Sequence, residues 1–135
     1  MHAKVTWLHD QQYDAVSHTG NHVAMDADAA HQGGPGPMEL VLMGLCSCTS
    51  VDVVSILRKK REPLTSLIVS AVAEQAAEPP RVFTHILLTY HVGGGVSPKA
   101  AEDAVALSKN KYCSVSKMLE KSAKIETAIV YVEPA

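Results

Sequence analysis

Apolar residues recur along this chain at two spacings, and the changes of spacing mark its elements. Near the start, Val5 and Trp7, then Tyr13, Ala15 and Ser17, stand at period two. That pattern predicts short strands near residues 3–8, 12–18 and 21–25. Residues 26–36 are rich in Ala and Gly and carry Pro35, which predicts a flexible loop. Pro37 then opens a helix, where its missing N–H costs nothing, and Glu39 complements the dipole of the first turn. The helix is expected to run through Leu57 and to close on the cations Arg58, Lys59, Lys60 and Arg61, with Pro63 forbidding continuation. Period two returns over residues 66–77 and 81–92, where Val82, Ile86, Leu88, Tyr90 and Val92 mark one face, followed by a Gly93–Gly95 turn. Ser97 and Pro98 read as N-cap and first helical residue of a helix reaching about residue 112. A further helical stretch is expected over 113–121, and a last strand over 124–132. The order βββ-α-ββ-αα-β defines an α+β fold.

The first helix changes this picture, because it is apolar on nearly every face from Leu40 and Leu42 round to Val53 and Leu57. Such a helix is either buried on all sides or spans a membrane. Glu39, Asp52 and several hydroxyls argue against a span, and no second span occurs. Full burial needs cover on every side, more than 135 residues readily supply. An intimate homodimer is therefore expected.

Length fits one domain, residues 1–135. The apolar fraction is 47% while aromatics are 4%, so the core must be aliphatic and the chain is not disordered as a whole. The net charge of −2 gives nucleic-acid binding no support. Residues 1–57 carry −5 and residues 58–135 carry +3, an asymmetry that would let halves of different subunits attract each other but that ordinary surface variation also explains. No signal-peptide pattern or lipidation motif is visible, so a cytoplasmic protein without a membrane partner is expected.

Three cysteines without a secretory segment are better read as buried filler, ligands or nucleophiles than as a disulfide framework. Cys46 and Cys48 form C-x-C, which lacks the spacing of a C-x-x-C redox motif or a zinc pair. On a helix they point about 200° apart and should not bond each other. Cys113 falls between two helical segments, where a helix N-terminus would lower its pKa. For any single buried cysteine, the plain reading is a small hydrophobe. Seven histidines include His85 and His91 on one strand face, but no H-E-x-x-H or H-x-E spacing occurs, so neither a metal nor a cofactor is expected. The Gly93–Gly95 run lacks the Lys-Ser/Thr of a phosphate loop and reads as a turn. The Arg58–Arg61 cluster is explained by its place at a helix C-terminus.

Three stretches together resemble the OsmC/Ohr family of osmotically inducible and organic-hydroperoxide-resistance proteins. They are Pro35-Gly-Pro-Met-Glu-Leu-Val-Leu-Met-Gly-Leu-Cys-Ser-Cys48, the following Thr49-Ser-Val-Asp-Val-Val-Ser-Ile-Leu57, and Lys111-Tyr-Cys-Ser-Val-Ser116. Pro80-Arg-Val-Phe-Thr-His85 is similar to a stretch of the YhfA-like branch. The resemblance implies a swapped, intertwined dimer of α+β subunits with long central helices buried between sheets and sites at the subunit interface. It implies a reacting thiol at Cys48 and a resolving thiol at Cys113, with Cys46 extra. The implied activity is reduction of organic hydroperoxides, with dithiol or lipoylated-protein reductants resetting the pair. The sequence departs from the pattern at two places. Met38 stands where a Glu assists the thiol, Glu39 being its neighbour, and residues 26–36 contain no Arg, His31 being the only cation there. Asp52 shares the face of Cys48, and a nearby carboxylate raises a thiol pKa. Two alternatives stand beside hydroperoxide reduction: a non-catalytic protein holding an apolar small molecule at the dimer interface, and a purely structural dimer.

Overall fold

The computed structural model describes residues 1–132. Its elements follow the order βββ-α-ββ-αα-β. Two units are distinguished, Met1–Met43 and one beginning at Gly44, so the division falls inside the first helix.

The first unit holds an antiparallel meander of β1 (Ala3–His9), β2 (Gln12–Ser17) and β3 (His22–Asp26). Trp7 pairs with Tyr13 and Tyr13 with Met25, with an irregularity between Trp7 and His9 at the first turn. Trp7 Nε1 donates to the Asp10 carbonyl at 3.0 Å and steadies that turn. Every residue of β1 is exposed, and only Met25 and Asp26 of the three strands are buried. Asp26 organises the loop that follows. Its carboxylate accepts from the N–H groups of Asp28 and Gly33, each at 2.9 Å. Those bonds, with one from the Gln12 side chain, hold its pKa below the ordinary carboxylate value.

The helix α1 (Pro37–Lys59) starts at the proline and ends on basic residues, as the sequence predicts. Its cover within the single chain is partial, in keeping with the expectation that 135 residues do not readily enclose it. Only the stripe Leu45, Thr49, Val53 and Leu57, spaced by four, is buried within the chain. Its mean hydropathy of 2.0 over 18 residues and its length would suffice to cross a bilayer. Two polar residues of its middle, Thr49 and Asp52, are nevertheless bonded to other elements of this chain, as described below.

In the second unit, β4 (Ser66–Gln75) pairs antiparallel with β5 (Phe83–Gly93), and β5 pairs parallel with β6 (Lys124–Val132). A parallel partner requires a crossover. That crossover carries α2 (Pro98–Leu107) and α3 (Ser114–Leu119). Gly94, at φ +110°, makes the exit from β5, where any side chain would collide with the Pro63 carbonyl. Ser97 caps α2 by accepting from the Ala100 N–H at 3.3 Å. The core of this unit is Ile86, Leu88, Tyr90 and Val92 of β5, the α1 stripe, and Ala100, Ala101, Ala104 and Val105 of α2. The sequence predicts one helix to about residue 112. The structure instead ends α2 at Leu107 and widens the next five residues, Ser108–Tyr112, into a π-helical turn.

Candidate functional site

Cys113 follows the π turn directly. Its N–H donates to the Ser108 carbonyl at 2.8 Å, five residues back. It is also the N-cap of α3, and its sulfur accepts from the Ser116 N–H at 3.4 Å. The single Ser116 hydroxyl proton is in turn shared between the carbonyls of Lys109 and Cys113, both 3.1 Å from Oγ. The thiol is fully buried. Close enough to influence its ionisation lies the half-buried Cys48 of α1. The structure therefore brings together two residues 65 positions apart, both as free thiols.

Their electrostatics correct one expectation. A helix N-terminus was expected to lower the Cys113 pKa. Burial dominates instead and pushes it above the ordinary thiol value, the Ser116 N–H opposing and the interaction with Cys48 reinforcing the rise. Cys113 thus favours its protonated form. Cys46 occupies the other flank of α1, about 200° away by helical geometry. It is half-buried, and burial raises its pKa too.

A chain of hydroxyls runs behind the thiols, and the sequence reading did not foresee it. Tyr90 Oη is 2.7 Å from Thr49 Oγ1, and Thr49 Oγ1 is 2.7 Å from Ser108 Oγ. Ser108 Oγ donates to Asp52 Oδ2 at 2.9 Å. A carboxylate only accepts, and each hydroxyl donates once, so the order is set. Tyr90 donates to Thr49, Thr49 to Ser108, and Ser108 to Asp52. Tyr90, Thr49 and Ser108 are all buried. Burial raises the Tyr90 pKa to about 12, the Thr49 hydrogen bond opposing and the charges of Cys113, Cys46 and Asp52 adding to the rise. One signal for this chain is present in the sequence. Alternation puts Tyr90 among Ile86, Leu88 and Val92, and a phenol on an apolar face needs a partner.

A cavity of about 500 Å³ opens beside this chain. Asp52 forms one wall and Tyr112, the neighbour of Cys113, another, with Ile56 and Leu107 apolar and Lys59 and Lys60 cationic. Lys60 lies 3.7 Å from Asp103.

In the first unit, the residues at the departures from the family pattern form their own cluster. Glu39 Oε1 accepts from the Gly36 N–H at 2.9 Å and lies 3.7 Å from His31 Nε2. His31 Nδ1 donates to the Asp26 carbonyl at 2.7 Å. His31 is thus the imidazole that faces Glu39, and Met38 beside Glu39 is half-buried. His85, singled out with His91, bonds Glu126 at 2.6 Å. Among the described residues no cluster of three or more His, Cys, Asp or Glu side chains is arranged to hold a metal ion.

An α+β chain with a long central helix carrying one thiol and a later helix start presenting a second defines a class of small two-thiol proteins. The OsmC family model, described as OsmC-like protein, matches residues 30–128, and this chain belongs to that family. It is 40% identical over 126 residues to Protein YhfA of Escherichia coli K12, with 93% of each chain covered. A hypothetical protein from Aquifex aeolicus has a similar structure, with a TM-score of 0.88, 27% identity, and 99% of this chain and 97% of that one covered. The organic hydroperoxide resistance protein OhrB of Bacillus subtilis shares the fold, with a TM-score of 0.69, 14% identity, and 96% and 98% covered.

Proposed function

We propose that this protein is a thiol-dependent reductase of organic hydroperoxides, with Cys48 reacting and Cys113 resolving. The observation that carries this reading is the pair of unlike thiols side by side: a half-buried Cys48 and a fully buried Cys113 that keeps its proton. The Cys48 thiolate attacks the terminal oxygen of the hydroperoxide, the O–O bond breaks, and the alkoxide leaves as an alcohol after taking a proton. Cys48 becomes a sulfenic acid. The Cys113 sulfur then attacks the Cys48 sulfur, and the hydroxyl leaves with the Cys113 proton as water, forming the disulfide. A dithiol reductant, a lipoylated protein among the candidates, returns the pair to thiols by two exchanges and is itself oxidised to a disulfide. The cavity walled by Ile56, Leu107 and Tyr112 supplies apolar surface for the organic group.

The active species is proposed to be a homodimer. Apolar residues left exposed on α1, Met43 and Val51 among them, support this, since the chain alone does not cover them.

The test is consumption of an organic hydroperoxide by the reduced protein with a dithiol reductant. Cys48→Ser is expected to abolish turnover. Cys113→Ser should stop at one equivalent per subunit without disulfide formation, and Cys46→Ser should keep turnover within about twofold, its sulfur pointing about 200° away from that of Cys48. Equal losses in Cys46→Ser and Cys48→Ser, or none in either, would overturn the assignment. A second reading is a non-catalytic protein holding an apolar molecule. The burial that keeps Cys113 protonated and the ready-made cavity favour it. Rapid loss of one thiol per subunit to an organic hydroperoxide at neutral pH counts against that reading.

A further inference from the structure

Ser108 stands at an unusual junction. Its carbonyl receives the N–H of Cys113 at 2.8 Å, closing the π turn. Its hydroxyl, with no exposed surface, is bonded to two positions of α1: Thr49 at 2.7 Å and Asp52 at 2.9 Å. Thr49 is the residue after Cys48, and Asp52 lies one helical turn beyond it. One residue therefore grips the backbone of the second thiol with its main chain and the helical turn of the first with its side chain. π turns are rare and short. This one places Ser108 in the buried stripe of the crossover and lets the chain leave toward Cys113 within five residues.

We propose that Ser108 is a positioning residue, which sets the separation of Cys48 and Cys113 by tying the π turn to α1. The proposal rests on the two-thiol reading above, but concerns a property measurable without any hydroperoxide. A disulfide tolerates only a narrow range of separations, with Cβ atoms about 3.5–4.5 Å apart. Small displacements of one partner therefore cost a large part of the advantage of being held together. Removing the Ser108 hydroxyl leaves the Asp52 carboxylate without its donor and the Thr49 hydroxyl without its acceptor. The crossover is then free to settle elsewhere on α1. Tyr90, at the far end of the chain of hydroxyls, bonds Thr49 but neither Ser108 nor Asp52.

The experiment measures the equilibrium between the reduced pair and the Cys48–Cys113 disulfide in glutathione redox buffers, by mass spectrometry of the full chain with Cys46 replaced by Ser. The effective concentration of one thiol toward the other is read from the buffer composition at half-oxidation. Ser108→Ala is expected to lower it about tenfold or more, the scale of one hydrogen bond to a charged group. Tyr90→Phe keeps both Ser108 bonds and is expected to lower stability while leaving the effective concentration within about threefold, since only the distal donor is lost. An unchanged value in Ser108→Ala overturns the proposal, and so does an equal fall in Tyr90→Phe, which would mean that the loss merely follows stability. Should Ser108→Ala fail to fold, Asp52→Ala replaces it, because that side chain stands on the cavity wall and its loss leaves the core intact. A fall of about threefold or more is then expected, and no change overturns the proposal. If the wild type forms the disulfide in glutathione but consumes no hydroperoxide, the proposed function fails while the role of Ser108 stands. If it forms no such disulfide in any buffer, both fall.

Discussion

On one face of α1, Leu45, Val53 and Leu57 have no exposed surface, whereas on the opposite face Val51 is 69% exposed. The two faces carry the same kind of side chain. What separates them is the cover the chain can supply. Toward the buried stripe stand Tyr90 of β5 and Ser108 of the crossover, both bonded to Thr49 at the centre of that stripe. The buried Thr49 bonds hydroxyls of two other elements, whereas the exposed Ser47 turns back onto the Gly44 carbonyl of its own helix, and this distinguishes an inward face from an outward one better than apolarity does. The thiols take up the flanks, Cys48 on the side of Asp52 and the π turn, Cys46 on the other.

The largest effect that would sharpen this contrast is truncation on the inner face. Leu57→Ala removes a side chain with no exposed surface and should cost about 3 kcal/mol, the middle of the range for such cavities. Urea unfolding of the reduced protein measures it. A loss below 1 kcal/mol, the size expected at a surface position, would erase the distinction between the faces.

The outer face is the place to break the comparison. If a second copy covers Val51, a charge there must be buried or the copies must part. Val51→Lys is expected to weaken self-association about 100-fold, equivalent to about 2.7 kcal/mol, while leaving the folded subunit intact. Sedimentation over a range of concentrations reads the dissociation constant, and circular dichroism checks the fold. A dimer of unchanged affinity would show that Val51 faces solvent in the assembly, and the two faces would then differ in kind rather than in which chain covers them.

Much of this architecture was legible before the structure. Pro37 and the basic run after Leu57 bracket α1 because a proline tolerates only a helix's first turn and cations suit its last. Ser97 and Pro98 start α2 for the same local reasons. Strand existence followed from alternation, and β5 shows it most clearly, since Ile86, Leu88, Tyr90 and Val92 all turn inward. The break at Ser108 was not legible, because a π turn continues the helical pattern of apolar positions and differs only in which carbonyl each N–H selects. Nor was the side of α1 that the chain covers, because a pattern apolar on every side carries no phase. The pairing of Cys48 with Cys113 came from resemblance to a family, since spacing says nothing of residues 65 apart. The fall in the Cys113 pKa expected from a helix N-terminus failed because α3 is only six residues long and the thiol is completely enclosed. Desolvation then outweighs one N–H bond.

Alkaline titration gives the smallest of these effects and reports on the inner face alone. Tyr90 is held neutral by burial, with its pKa raised from 10 to about 12. The unfolded chain releases that proton near pH 10, so between pH 10 and 12 the folded state binds more protons than the unfolded one. Stability therefore falls as pH rises through this window, by on the order of 2 kcal/mol in all, and the slope disappears above it. The buried Cys113 thiol acts in the same direction from a lower pH, starting at the ordinary thiol pKa. Urea midpoints measured from pH 7 to 11 should decline above pH 9, first through Cys113 and then through Tyr90. Tyr90→Phe should flatten the later part of that decline while leaving the earlier part in place. If the variant and the wild type decline in parallel above pH 10, the Tyr90 phenol is not the group that loses its proton on unfolding. The inner face of α1 would then owe nothing to the neutral hydroxyl at the head of its hydrogen-bonded chain.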